Sequence, residues 1–333
     1  MRKLLLGTTA LAAAATLSAN VAVADVSISG AFDWSYSSTS SDIAANDGTS
    51  FGTDSEIKFS FTNKTDSGLT VSMVTELESD DADTAINESS LSISGGFGKI
   101  VLGGNDGAGE DYGIASTDLP AEEIYATGTD ELTLTKPDIS AMSGDANKIS
   151  YHLPAMGGLT AGASFANSGP AGATDTTAFG ARYTMSAGGA AITLGGATAT
   201  TEGSSQDTDS QVIGVKVVSG NITGVLSQST YEAAARAAVA GTASTTTAAR
   251  VAPIDAVDKA DEESTGAAVS FKVNDGMTVT VHTAETDDGQ TTESYSNAGV
   301  EIAYTVAPGL SAYLNVEDYD YKAGDSVGNT SNA

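Results

Sequence analysis

Cysteine is absent from the 333-residue chain, which excludes a disulfide scaffold, a thiolate-ligated metal and thiol chemistry. Histidine is nearly absent: His152 and His282 are the only two, too few for a multi-histidine metal centre. Basic residues are scarce, with 14 Lys+Arg against 43 Asp+Glu and a formal net charge of −29. That sign excludes a nucleic-acid partner held through phosphate neutralisation. After the N-terminus no apolar run approaches the roughly 18 residues a spanning helix needs, although a strand-built membrane protein escapes that test because its apolar residues alternate. What is abundant is glycine, 37 residues, within a chain that is 40 % hydrophobic and only 17 % charged.

The N-terminus carries an export signal. Met1, Arg2 and Lys3 form a basic start, residues 4–17 an Ala-rich apolar stretch, and Ala22-Val23-Ala24 a small-x-small site. This pattern is a secretory signal peptide, 1–24, cut between Ala24 and Asp25. Its apolar run is shorter than the roughly 20 residues of a membrane anchor. Removing the first 24 of 333 residues leaves 309, and the loss of Arg2 and Lys3 takes the net charge from −29 to −31.

The mature chain repeats one unit. In the opening stretch Val26, Ile28, Phe32, Trp34 and Tyr36 share one parity, and Ser27, Ser29, Asp33 and Ser35 the other. This period of two predicts a strand with one apolar and one polar face. Seven hairpins around glycine-bearing turns follow, at residues 57–73, 91–103, 149–165, 179–194, 212–226, 267–281 and 300–316. They give fifteen strands with the opener. Tight turns alternate with polar excursions such as 37–55, 78–87, 105–147 and 232–265. A soluble sandwich has no reason for that alternation, whereas a transmembrane barrel puts short turns at one rim and long loops at the other. Charges within strands (Lys58, Arg182, Lys216, Lys272, Glu301) fall on the polar parity, as do Glu76, Lys148, His152 and His282. In a large barrel that parity lines water, and the apolar one faces lipid. Trp34, Tyr36, Phe59, Phe61, Phe165, Tyr183, Phe271 and Tyr304 lie on the apolar parity, and those near strand ends suit interfacial aromatic girdles.

Two stretches are similar to the general porins of alphaproteobacterial outer membranes. Thr65-Asp66-Ser67-Gly68-Leu69 resembles the first periplasmic turn of that family, and Ser92-Ile93-Ser94-Gly95-Gly96-Phe97-Gly98-Lys99-Ile100 with Gly103 resembles its next hairpin. The resemblance implies an all-β, 16-stranded antiparallel transmembrane β-barrel over 25–333, usually a homotrimer in outer-membrane lipid. It also implies a third extracellular loop folded inward to narrow the pore. The chain departs from the family at its end. Members close with a strand ending in an aromatic, whereas the last strand here covers 310–317 and a polar tail runs to Ser331-Asn332-Ala333. Fifteen strands leave two unpaired edges, which lipid does not tolerate. The expectation is a C-terminally incomplete chain, missing its closing strand.

The connection 105–147 occupies the position of the constricting loop. It is rich in acids, among them Asp106, Glu110, Asp111, Asp118, Glu122, Glu123, Asp130 and Glu131, with Lys136 its only base. Folded inward, these would face lumen bases, for which Lys58, Arg182, Lys216 and Lys272 are the candidates. Opposed charge rows in a narrow wet passage orient polar solutes, and acidic rings favour cations. The competing reading is a solvated acidic surface loop. Asp118-Leu119-Pro120-Ala121-Glu122-Glu123 has the form of a helix start. Acid clusters elsewhere, at Asp80, Asp81 and Asp83, at Asp207 and Asp209, and at Asp287 and Asp288, could bind Ca²⁺ weakly but lack EF-hand spacing, so no cofactor is expected. Gly96-Phe97-Gly98 lacks the Lys-Ser/Thr of a phosphate loop, and no catalytic constellation is evident. The sequence therefore points to a non-enzymatic outer-membrane channel for small hydrophilic solutes and ions, weakly cation-preferring. The alternative is a secreted acidic β-rich surface protein, of adhesin or surface-layer type, without channel activity.

Overall fold

A computed structural model describes residues 2–9, 13–14, 25–40, 48–78, 88–115, 146–167, 174–202, 207–232, 261–288 and 294–322. Two N-terminal strands, β1 (Arg2–Thr9) and β2 (Ala13–Ala14), precede the main series. The series is β3 (Asp25–Thr39), β4 (Gly48–Lys64), β5 (Thr70–Glu78), β6 (Ser89–Gly95), β7 (Gly98–Gly104), β8 (Asn147–His152), β9 (Leu159–Asn167), β10 (Asp175–Ala187), β11 (Ala190–Glu202), β12 (Thr208–Ser219), β13 (Ile222–Glu232), β14 (Asp261–Asn274), β15 (Met277–Asp288), β16 (Ser294–Ala307) and β17 (Leu310–Lys322). One short helix, α1 (Ala108–Tyr112), follows β7.

Each strand from β3 to β17 pairs antiparallel with the next, in a single sheet. These are the fifteen strands the alternation predicts. They do not close on themselves: among the described residues no pairing joins β3 to β17. β1 lies antiparallel between the two, with Lys3 opposite both Asn315 and Ser37. It takes the place of a sixteenth strand, because an odd-numbered series leaves its first and last members pointing the same way.

The two parities have the environments the alternation predicts. Phe179, Tyr183, Ile213, Leu226, Phe271 and Val281 are large, apolar and exposed, Ile213 at 65 %. Between them Ala178, Ser210, Val212, Ser227, Ala268 and Thr280 are buried on the opposite face. A soluble sandwich would bury the large residues and wet the small ones, so the apolar face is the outer one, as in a transmembrane barrel. At the loop end of the β3–β4 hairpin, Trp34 stacks on Phe51 with centroids 5.4 Å apart, as a girdle pair would.

The turns explain themselves locally. Gly188 (φ 59°) and Gly189 (φ 85°) are consecutive left-handed residues, the backbone of a two-residue turn whose twist matches that of its strands. Connections at this rim contain two to six residues, and those at the other rim five to forty-two. The far rim is less loop-rich than the alternation suggests. Most of 37–55 is ladder, since Thr39 pairs with Gly48, and β10 to β13 continue through threonines such as Thr176, Thr200 and Thr201. Hydrogen bonds carry these hairpins beyond the apolar band, a continuation that side-chain period does not reveal.

Candidate functional site

Past Gly104 the chain turns off the barrel wall and back across its inner face. Gly107 opens α1, and its N–H donates to the Glu110 carboxylate at 2.8 Å, so Glu110 caps the first turn. The segment then crosses β9, β10 and β11 on the parity opposite Phe179 and Tyr183. Ala108, Tyr112, Ile114 and Ala115 are buried in this crossing, Ile114 completely.

Polar ties hold it, among them a bond from Asn105 Nδ2 to Ser150 Oγ at 3.5 Å. The Ala108 N–H donates to Ser164 Oγ at 3.0 Å. Tyr112 Oη and His152 Nδ1 are hydrogen-bonded at 2.9 Å. Arg182 donates through Nη2 to the Gly113 carbonyl, and Lys148 through Nζ to the Asn105 carbonyl. The partners come from β8, β9 and β10, so the seat exists only in the assembled sheet.

The fit also depends on missing side chains. Gly162 and Gly180 face each other across β9 and β10, and Gly195 and Gly214 across β11 and β12. A Cβ on Gly162 would lie 2.6 Å from the Tyr112 ring, on Gly180 2.5 Å from the Ala108 carbonyl, and on Gly195 2.6 Å from Ile114 Cγ1; on Gly214 it would run into the Ile114 carbonyl. Real Cβ atoms do not approach so closely. Glycine within a strand marks such a close approach of backbone.

The acids on this segment do different work. Asp106 is exposed. Asp111, 35 % exposed at its side chain, lies 3.7 Å from His152 Nδ1. Burial pushes its carboxyl above the ordinary range; Lys99, Arg182 and Lys148 oppose that shift and Asp106 adds to it. Glu110 is committed to the helix start. Asp118, Glu122, Glu123, Asp130 and Glu131, and the helix expected at Asp118, lie outside the described residues, as do Asp80, Asp81, Asp83 and Ala24. Asp25 is the first residue of β3.

Of the four candidate bases, Arg182 is hydrogen-bonded to the described part of the loop. Lys58 pairs with Glu76 at 2.5 Å and Glu56 at 3.4 Å. Lys272 is exposed beside its turn and pairs with Asp275 at 2.9 Å. Lys216 is half-buried on β12, two residues from Gly214. Sequence reasoning passed over Lys99 as part of a turn motif, and over Tyr112 and Ser164 altogether. Lys99 is paired in register with His152, and that long-range register is the missing information. The glycines did leave a signal, four strand-interior residues on the inner parity of the consecutive strands β9 to β12.

A second polar group lines the inner face of β15 to β17. His282 Nε2 reaches Glu317 Oε1 at 3.4 Å over the intervening Gly299. Asn315 Nδ2 donates to the same carboxylate at 2.9 Å, and Glu301 is buried alongside. Among the described residues no group of three His, Asp or Glu is arranged to hold a metal. Asp209 accepts a hydrogen bond from Thr200 at 2.6 Å.

An apolar exterior, a polar interior and a connection folded onto the inner wall define the geometry, and comparison with known proteins decides the family. The model of the Gram-negative porins matches residues 7–324. The chain belongs to the Gram-negative porin family. No curated protein sequence matches it. Its fold is similar to that of in-vitro folded OmpT of Vibrio cholerae in trimer form, with TM-score 0.60, 13 % identity, and 96 % of this chain and 88 % of that chain covered. It is also similar to a mutant Rh. blastica porin, with TM-score 0.54, 14 % identity and 96 % and 99 % covered. A third likeness is to an anion-selective porin from Comamonas acidovorans, with TM-score 0.53, 18 % identity and 97 % and 89 % covered. The chain is therefore an outer-membrane porin, a channel protein.

Proposed function

We propose that this porin passes small hydrophilic solutes and ions by passive diffusion, with a mild preference for cations. The observation that carries the reading is the charge arrangement at the seated loop. Asp106 and Asp111 are exposed on the segment, Asp111 beside His152, while Arg182 and Lys148 donate to loop carbonyls. Lys58 and Lys272 are each paired with acids. Lys58 and Lys272 thus oppose the loop acids less than the number of wall bases suggests, and the chain carries a net charge of −29. An acidic passage lowers the electrostatic barrier for cations and raises it for anions. The Comamonas porin is described as anion-selective, so the sign follows from each chain's own residues rather than from the fold.

A homotrimer fits the uneven height of the wall. β5 to β8 contain nine, seven, seven and six residues. Six residues rise about 20 Å, less than the apolar band of about 25 Å that a barrel presents to lipid. Met73, Leu91, Leu102, Ile149 and Tyr151 are exposed on this low wall, where neighbouring subunits would shield it. Export with cleavage between Ala24 and Asp25 completes the reading. Planar-bilayer recording of the outer-membrane-extracted protein tests it: stepwise conductance, with vesicle permeation falling as solute size rises, is the expected result. A folded protein that gives no steps would refute it.

A further inference from the structure

We infer that the track of Gly162, Gly180, Gly195 and Gly214 is the positioning element that sets how far the constricting loop stands off the wall, and so the width of the pore. The inference rests on the channel reading above and adds its size-determining residues.

The four positions form two cross-strand pairs, Gly162–Gly180 and Gly195–Gly214, lying side by side across β9 to β12. Arg182, opposite Gly195 and two residues along β10 from Gly180, donates to the Gly113 carbonyl. The strand glycines therefore form a floor, and the loop lies in it from Ala108 to Ile114. Along this line each missing Cβ is replaced by a loop atom: the Ala108 carbonyl and Tyr112 Cβ at Gly180, the Tyr112 ring at Gly162, Ile114 and the Tyr112 carbonyl at Gly195, and the Ile114 backbone and side chain at Gly214. Half of these are backbone or Cβ atoms, which cannot rotate aside. A methyl group at any of the four must lift the segment or shift the wall.

The physical argument concerns stand-off rather than affinity. Backbone seated directly on backbone is the lowest position a constricting loop can take, and it leaves the greatest cross-section beside it. Strand glycine lowers β-sheet stability, and four such positions on the inner parity are a cost the pore geometry accounts for. Gly224 makes the contrast: it lies on the outer parity of β13, and a Cβ there would meet nothing within 4 Å.

The test uses full-length protein extracted from outer membranes and single Gly162→Ala, Gly180→Ala, Gly195→Ala and Gly214→Ala variants, with Gly224→Ala as control. Two readouts are taken: single-channel conductance, and hydrogen–deuterium exchange of the 107–115 amides. Overpacking loosens the seat, so the loop amides should exchange roughly 5- to 150-fold faster in the four seat variants, with altered conductance, and at the wild-type rate in the control. Resistance of the folded barrel to denaturation by detergent, read from its gel mobility, shows that each variant is assembled. Ile114→Ala is added to Gly195→Ala, because the Cγ1 and Cδ1 atoms met there are removed; the double variant should recover protection towards wild type. Unchanged exchange and unchanged conductance in all four seat variants would overturn the inference while leaving the channel reading intact. A wild-type protein that does not conduct, with seat variants that still lose protection, would instead remove the channel reading and keep the seat.

Discussion

Replacing Arg182 with Met separates the charge of this side chain from its packing. The stem keeps its place between Thr160 and Gly195, but the donor to the Gly113 carbonyl is lost. Gly113 is buried, so its carbonyl gains no ready access to water in exchange. A hydrogen bond from a charged donor contributes about 1.5–3 kcal/mol, and 2 kcal/mol corresponds to roughly a 30-fold change in the ratio of seated to released loop. Release stays partial, because Ser164 still accepts from Ala108 and His152 still bonds Tyr112. The assay is amide exchange by mass spectrometry on peptides covering 107–115. Its most informative probes are the Asp111 N–H, bonded to the Gly107 carbonyl at 3.0 Å, and the Gly113 N–H, bonded to the Gly109 carbonyl at 2.8 Å. Both should exchange about 30-fold faster, while the strand amides of β9 and β10 keep their protection. Loop exchange at the wild-type rate would refute the role of Arg182 as a clamp, and equal acceleration of loop and strands would show that the sheet itself had failed.

Three further outcomes are expected. Burial holds the Asp111 carboxyl above the ordinary carboxylate range. The seated loop therefore binds its proton more tightly than the released one, and seating is favoured at low pH and weakened as pH rises through the raised value. As pH is lowered, cation selectivity should begin to fall while the pH is still above the ordinary aspartate value of about 3.9, and Asp111→Asn should remove that early step and increase loop protection at neutral pH; an unaltered profile would contradict it. A Cβ at Gly299 would lie 2.5 Å from His282 Nε2, so Gly299→Ala should lower barrel stability by about 1–3 kcal/mol, read as loss of the folded gel form at lower temperature than wild type. N-terminal sequencing of outer-membrane protein should begin at Asp25, and retention of Met1 would show β1 to be a permanent part of the wall.

Much of the wall was legible before the structure. Fifteen strands follow from alternating parity and from turns such as Gly188-Gly189, because side-chain period and turn chemistry are local properties. Assignment of faces was legible too: Arg182 between Ala181 and Tyr183 declares its side without any tertiary information. The seat was not. Glu110 reads as one acid among ten until Gly107 is seen to open a helix beneath it. Lys99 reads as part of a turn until registration of β7 on β8 sets it opposite His152. Tyr112 and His152 are 40 residues apart, and Gly113 and Arg182 69. Such contacts are set by the lateral order of strands and by register, which no periodicity encodes. The glycines on β9 to β12 were visible in the sequence, but their meaning depends on what lies over them.

The reversal potential of a single channel across a potassium chloride gradient tests the central claim most directly. The account predicts stepwise conductance with a potential of the sign given by cation permeation, moving towards zero when Asp106 and Asp111 are both replaced by Asn. A potential of the opposite sign, or one that the double replacement leaves in place, would contradict it.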